Sequence, residues 1–147
     1  MAVVQTIREA LGVEIASADD PLDSAEAGGW HLILVDGKAL VFLIDDRPFL
    51  TVRGLLAKKP EKRFVTVDMG AVKYVCNGAD VMAPGIVDAD RTIDSGDLVW
   101  IRDERNRQPL AVGKALLSGE EMIVGESGKA VKTLHWVGDG LWKLDEQ

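Results

Sequence analysis

Hydrophobic and polar positions change their spacing several times along the chain, and each spacing predicts a different element. The apolar residues within positions 3–11 recur with the period of one helix face, and Gly12 can end that helix because glycine tolerates the left-handed conformation. Residues 30–35 and 38–44 are two apolar runs joined by Asp36-Gly37, a pair favoured in type I′ turns. The first part of the chain is therefore predicted to contain a helix and a β-hairpin.

The segments that flank this hairpin carry weaker patterns. Residues 17–29 are rich in Asp, Ala and Gly, which predicts an irregular loop with room for one helical turn. Residues 49–52 fit either a short strand or the start of a helix that runs to Lys58. In the second case Thr51 would cap the helix, because its hydroxyl can accept a bond from an amide of the first turn.

A linker between two domains is predicted at residues 59–62. Polarity rises there, and Pro60 discourages helix in the residue before it. Each side of this stretch has its own apolar alternation, and therefore its own candidate core. The predicted domains are residues 1–61 and residues 62–147.

Residues 65–86 are the most informative stretch and predict a strand, a short helix and a glycine-rich loop. Residues 65–68 alternate between apolar and polar, and the carboxylate of Asp68 can cap a following helix. Apolar residues share one face of that helix, which Asn77-Gly78 can end. In the loop, residues 79–85, small side chains would let backbone amides come close to a ligand.

Short strands with turn residues between them are predicted for the rest of the chain. They cover residues 98–102, 110–117, 129–137 and 141–144, with one helical turn at Glu120–Val124. Strands spaced in this way, together with one early helix, suggest a small barrel-like sheet. The predicted fold class is α+β, with a small N-terminal α+β domain before a β-barrel-like domain.

The second half of the chain resembles a PUA domain, an RNA-binding module found in pseudouridine synthases and archaeosine transglycosylases. The resemblance lies in an Asp-x-Gly-Ala helix start at Asp68 and a Gly-Ala-x-Val-x-x-Pro-Gly loop from Gly78 to Gly85. It continues through four later stations, at residues 95–99, 111–115, 128–131 and 138–142. The resemblance implies a PUA fold, and no catalytic activity and no cofactor are expected of the chain.

The first sixty residues resemble the pre-PUA domain of the malignant-T-cell-amplified-sequence family of translation factors and their archaeal relatives. A hairpin, a Phe-Leu-Thr-Val-Arg segment and a basic linker with Pro60 carry this resemblance. The chain departs from the family where Leu50-Thr51-Val52 replaces the usual Pro-Thr-Leu. Implied partners are tRNA or rRNA, and the small ribosomal subunit or a translation factor.

By resemblance, RNA lies in a groove between the short helix, its glycine loop and a late strand. Lysine side chains there can make charge-assisted phosphate contacts, and the small residues can expose amides to the RNA backbone. The outward side of the helix carries a lysine and a tyrosine. The predicted RNA-binding residues are Arg63, Lys73, Tyr74, Asn77, Gly78, Ala79, Asp80, Met82, Ala83, Pro84, Gly85, Lys129 and Lys132.

Composition limits this interpretation in two ways. The net charge of −7 argues against indiscriminate nucleic-acid binding, which usually needs a basic surface. The single cysteine, Cys76, excludes an internal disulfide and fits a reducing cytoplasm, where the protein is expected to act. No apolar run reaches the roughly 20 residues of a membrane helix, and the first residues do not have the pattern of a secretory signal.

Other chemistries have weaker support. Cys76 lies on the apolar face of a predicted helix, which favours a packed thiol over a nucleophile, and His135 is expected to be a satisfied surface or edge histidine. Two histidines and one cysteine far apart make no zinc pattern, so no metal site is expected. Two alternative functions remain: an acidic protein-interaction adaptor, and a targeting subunit for an RNA-modifying enzyme.

Overall fold

The computed structural model describes residues 2–144, and these residues divide into two compact units. The first unit holds the chain up to Lys62 together with the residues from Gly140 onward, and the second unit is Arg63–Asp139. The chain therefore passes from the first unit to the second close to the predicted linker. The segment after Asp139, predicted as part of the second domain, groups with the first unit instead.

The first unit is built on a four-stranded antiparallel meander with strand order β1-β2-β3-β4. Its elements are α1 (Ala2–Leu11), β1 (Leu22–Ala27), β2 (Trp30–Val35), β3 (Lys38–Ile44), β4 (Arg47–Leu50) and α2 (Val52–Lys58). Ile7 and Leu11 of α1 are buried, as are Phe42 and Phe49 in the sheet. The predicted helix and hairpin are both present.

Residues 47–58 contain both of the elements that the sequence left as alternatives. Strand β4 ends at Leu50, and helix α2 begins directly afterwards. The Thr51 hydroxyl accepts a hydrogen bond from the Gly54 amide at 3.1 Å and donates one to the Ala39 carbonyl at 2.8 Å. One residue thus caps α2 and ties it to β3.

The predicted irregular loop at residues 17–29 is wrong for Leu22–Ala27, which form β1. This strand pairs along its whole length with β2, from Leu22 opposite Val35 to Ala27 opposite Trp30. Half of its side chains are polar, and they alternate only weakly with the apolar ones. Backbone ladder bonds hold an edge strand in place, and they leave little trace in the side-chain pattern.

The second unit contains a six-stranded sheet with strand order β6-β10-β9-β8-β5-β7. Its elements are β5 (Phe64–Val67), α3 (Met69–Val75), β6 (Val81–Met82), a 3₁₀ turn (Ala83–Gly85), β7 (Ile86–Ala89), β8 (Leu98–Asp103), β9 (Pro109–Ala115), α4 (Gly119–Val124) and β10 (Lys129–Trp136). Strands β5 and β8 are parallel, and the other neighbours are antiparallel. The predicted helical turn at residues 120–124 lies within α4.

The two edge strands of this sheet, β6 and β7, are consecutive in the chain. Only the three residues of the 3₁₀ turn separate Met82 from Ile86, so the two edges lie close together. The sheet is therefore nearly closed, like a barrel. Its core contains Val65 and Val67 of β5, Val99 and Ile101 of β8 and other apolar side chains, Val131 of β10 among them. The predicted α+β class with a barrel-like second half is confirmed.

The predicted strand at residues 141–144 is wrong, because Gly140–Leu144 form a helix, α5. Leu141 is buried, and the Arg53 guanidinium lies 3.7 Å from the ring centroid of Trp142. Arg53 Nη2 also donates to the Trp142 carbonyl at 3.3 Å. A segment of four residues is too short for periodicity to distinguish strand from helix, and these contacts decide the outcome.

Candidate nucleic-acid interface

Asp68 joins the start of α3 to the 3₁₀ turn. Its carboxylate Oδ1 accepts a hydrogen bond from the Ala71 amide at 2.9 Å, which is the predicted helix cap. The Asp68 amide donates to the Gly85 carbonyl at 2.9 Å. Helix α3 and the residues that follow β6 are therefore held side by side, and a groove lies between them.

The end of α3 depends on Gly78. This residue has φ of +87°, the left-handed conformation that the sequence predicted. A Cβ atom at Gly78 would lie 2.7 Å from the ring of Trp136, so the indole also requires a glycine here. The contact joins the α3 turn to the end of β10. Nothing in the local sequence pairs Trp136 with Gly78, because 57 positions in the chain separate them.

The groove beside α3 has a volume of about 420 Å³ and is mostly apolar. Its lining residues are Ala71, Tyr74, Val75, Ala79, Asp80, Val81, Met82, Gly85 and Lys129. Six of these belong to the predicted RNA-binding set, and the structure brings them together from α3, the loop, β6 and β10. The other three form its apolar wall. They were read from the sequence as motif or core positions.

Two exposed side chains give the groove a surface on which a planar ligand could pack. Tyr74 is 58% exposed and Met82 is 46% exposed. The Lys73 ammonium lies 5.1 Å from the centroid of the Tyr74 ring, within the range of a cation–π contact. The groove therefore combines an aromatic face with two lysines, Lys73 and Lys129, near its rim.

Asp80 fastens the loop to β10. Its Oδ1 accepts from the Thr133 amide at 3.0 Å, and its Oδ2 lies 3.4 Å from the Lys129 ammonium. The Thr133 hydroxyl donates to the Ala79 carbonyl at 2.9 Å, a second bond across the same junction. Asp80 thus positions the loop. Its negative charge also partly neutralises the positive charge of Lys129, which lines the groove.

The expectation that small residues expose free amides is wrong at three positions. The amides of Gly78, Ala79 and Ala83 donate to the carbonyls of Val75, Tyr74 and Gly128 at 2.9–3.0 Å. Folding therefore satisfies these donors internally. Side chains rather than these amides must supply the polar contacts of the groove.

Gly85 does not have the positive φ that was one of its two predicted roles. The other role, a close approach, is present: a Cβ atom would lie 3.4 Å from Cβ of Ala71. Gly85 therefore lets the 3₁₀ turn pack against α3. Asn77 and Pro84 are exposed beside the groove without lining it, and Ala83 is buried.

Arg63 lies at the opposite end of β5 from α3 and is engaged in other contacts. Its amide donates to Asp90 Oδ2 at 2.6 Å, and its Nη1 lies 3.3 Å from Asp97 Oδ2. Burial tends to raise the pKa of Asp90, but hydrogen bonds from the amides of Arg63 and Thr92 outweigh it and hold that pKa below its usual value. The structure does not bring Arg63 together with the groove residues.

His135 is completely buried, so the expectation of a surface or edge histidine is wrong. Its Nδ1 lies 2.8 Å from Asp139 Oδ2, which also accepts from the Trp136 amide at 3.0 Å. Cys76 is half-buried at the end of α3, and burial raises the pKa of its thiol. Within residues 2–144, no three His, Cys, Asp or Glu side chains cluster as metal ligands would. Over the same residues, no helix has the length and apolarity of a membrane span.

The family model of the PUA domain matches residues 63–137. The chain therefore belongs to the PUA-domain family. It is 47% identical over 132 residues to an uncharacterized protein of Methanocaldococcus jannaschii, covering 90% of this chain and 76% of that protein. A hypothetical protein of Pyrococcus horikoshii with a solved structure is 35% identical, with a TM-score of 0.87 over 97% of this chain and 92% of that one.

Two eukaryotic relatives carry names that concern their function. The Malignant T-cell-amplified sequence 1 homolog of Drosophila melanogaster is 36% identical over 73% of this chain. Translation machinery-associated protein 20 of Saccharomyces cerevisiae is 33% identical over 78% of this chain. The match spans 61% and 66% of these longer proteins. The predicted resemblance to archaeal relatives of this family is confirmed.

Proposed function

We propose that the protein is a non-enzymatic RNA-binding protein that acts with the translation machinery in the cytoplasm. Its RNA is a tRNA or a structured rRNA segment, which binds in the groove beside α3. Membership of the PUA-domain family and the name of the yeast relative support this proposal. The small ribosomal subunit or a translation factor is the proposed protein partner.

The observation that carries the proposal is the groove itself. It offers an apolar, partly aromatic surface at Tyr74 and Met82, and bases of unpaired RNA stack on such surfaces. Lys73 and Lys129 can reach backbone phosphates at its rim, where charge-assisted bonds are strong. A uniformly acidic surface at this loop would have favoured the adaptor alternative, and the two lysines argue against that alternative.

Binding through the groove displaces a contact that exists in the free protein. The Lys129 side chain is 62% exposed and pairs with Asp80 at 3.4 Å. An exposed pair of this kind contributes only about 0–1 kcal/mol, so a phosphate can compete for the lysine. Asp80 is therefore assigned a positioning role, with no direct contact to phosphate.

Replacing Lys73 and Lys129 together by alanine tests the proposal. Each phosphate contact contributes about 0.7–0.9 to the slope of log affinity against log salt, so the double variant should lose about 1.4–1.8 from that slope. Fluorescence anisotropy of a labelled tRNA between 50 and 300 mM salt measures it. Circular dichroism should show unchanged folding.

Arg105→Ala with Arg107→Ala is the matched control, because both arginines lie in the exposed loop between β8 and β9. This variant should bind like the wild type. A larger loss in the control than in the lysine pair would place the RNA elsewhere. Unchanged binding in both variants at low salt would contradict RNA binding by this groove. It would favour the alternative that the protein is a protein-interaction adaptor.

A further inference from the structure

Lys114 and Lys132 lie directly opposite each other on β9 and β10. Like charges at directly opposed positions of antiparallel strands repel, since their Cβ atoms are about 4.5–5.5 Å apart. Neither lysine makes an ion pair with any carboxylate among residues 2–144. The folded protein therefore retains two like charges at opposed positions, with no ion pair to a carboxylate of residues 2–144.

A β-bulge in β10 adds a third lysine to the same face. Lys129 opposite Met82 is an exposed pair, whereas the next pair, Val131 opposite Val81, is buried, and the register shifts between them. In a regular strand, residues three positions apart point to opposite faces. The extra residue in the bulge instead leaves Lys129 and Lys132 exposed on the same side.

The strand segments that carry these lysines contain no acidic residue of their own, although Asp80 pairs with Lys129 at 3.4 Å. Residues 109–119 and 127–138 contain all three lysines and no Asp or Glu, although the chain has 24 acidic residues in total. On β8, the other neighbour of β9, the residue opposite Lys114 is Leu98. The preceding carboxylate, Asp97, already pairs with Arg63 at 3.3 Å. Positive charge is thus concentrated across β9 and β10 in a chain of net charge −7.

We propose that Lys114 and Lys132 form a second anion site, which binds a backbone phosphate of the RNA strand that leaves the groove past Lys129. This site rests on the proposed function and extends it, because it gives the RNA a direction across the sheet from β6 through β10 to β9. A phosphodiester is the ligand, since it can bridge two ammonium groups and remove their repulsion. Lys132 was predicted to contact RNA, and the register adds Lys114.

Single replacements of Lys114 test the site in the full chain, with a labelled tRNA as the probe. Lys114→Ala should lower the salt slope by about 0.7–0.9, which makes binding about tenfold weaker at 50 mM salt and almost unchanged when extrapolated to 1 M. Lys114→Glu should weaken binding further and raise the melting temperature, because it creates an opposite-charge pair with Lys132. Lys38→Ala, at an exposed strand lysine of the first unit, should match the wild type.

The results separate this site from the groove. A wild-type salt slope in Lys114→Ala, with weakened binding in the Lys73 and Lys129 double variant, would overturn the second site and leave the proposed function intact. A reduced salt slope in Lys114→Ala, with wild-type binding by the Lys73 and Lys129 double variant, would support the site at Lys114 and Lys132. It would also mean that RNA does not bind in the groove beside α3. Absence of salt-dependent tRNA binding by the wild-type protein would overturn both proposals.

Discussion

Replacement of Asp80 separates the structural role of this residue from its charge. The Asp80 carboxylate accepts a hydrogen bond from the Thr133 amide at 3.0 Å, and Thr133 is buried. A bond to a charged acceptor contributes about 1.5–3 kcal/mol, and Asp80→Ala leaves the amide without that acceptor. The exposed pair with Lys129 adds about 0–1 kcal/mol. The two contributions together span about 1.5–4 kcal/mol, and we expect Asp80→Ala to cost about 2–3 kcal/mol of the free energy of unfolding, near the middle of that range.

Asp80→Asn is the matched variant, because its amide oxygen can still accept from Thr133 while the negative charge is lost. We expect it to cost less than about 1 kcal/mol. Thermal unfolding followed by circular dichroism measures the difference. A loss of 2–3 kcal/mol lowers the melting temperature by about 4–12 °C in a chain of this size. The Thr133 hydroxyl bond to Ala79 remains in both variants and limits the loss.

For Asp80→Asn we expect a small loss of stability but tighter RNA binding. Without the Asp80 charge, Lys129 is free for phosphate, so Asp80→Asn should bind tRNA up to about fivefold more tightly. Equal destabilisation by Ala and Asn would mean that the charge, and not the hydrogen bond, holds the loop. If neither variant changes stability, the hydrogen bond from the Thr133 amide to Asp80 does not hold the loop against β10 as we infer.

Two further predictions concern the end of α3 and the domain boundary. Gly78→Ala should cost about 2–4 kcal/mol in chemical denaturation, because it combines positive φ with a Cβ atom 2.7 Å from the Trp136 ring. Gly96→Ala should show only the backbone cost, because its φ is +95° and an added Cβ atom would have no atom within 4 Å beyond its chain neighbours. A fragment of residues 63–139 should fold alone and give a dispersed amide NMR spectrum, because it contains the whole core cluster of the second unit. A collapsed spectrum would contradict independent folding.

Local sequence patterns were sufficient to predict the elements whose conformation depends on neighbouring residues. Helix α1, the β2–β3 hairpin, the Asp68 cap and the left-handed Gly78 each depend on a few neighbouring residues. One short segment, from Tyr74 to Met82, carries six of the nine residues that line the groove, four of which were predicted as RNA-binding. The groove itself, and its pairing with the distant strand that carries Lys129, came from the resemblance to the PUA family, because periodicity lacks long-range pairing.

Features that depend on distant partners were not predictable from the pattern. Strand β1 exists because β2 offers it a ladder, and α5 is a helix whose Trp142 stacks against Arg53, far away in sequence. Of the loop amides, that of Ala83 donates to the distant Gly128 carbonyl, which no local motif encodes, whereas those of Gly78 and Ala79 bond within the end of α3. Arg63 directly precedes β5 and is close in sequence to α3, yet the length of β5 separates it from the groove.

The net charge of an acidic chain says little about RNA binding once the strand register is known. At about 0.15 M salt the Debye length is about 8 Å, so carboxylates on remote surfaces are largely screened from a phosphate in the groove. Charges within that distance decide the interaction. Counting along the sequence would place Lys129 and Lys132 on opposite faces of β10, and only the bulge brings both to the side that Lys114 shares. The register of two strands, rather than the total of −7, therefore determines where this protein can hold an anion.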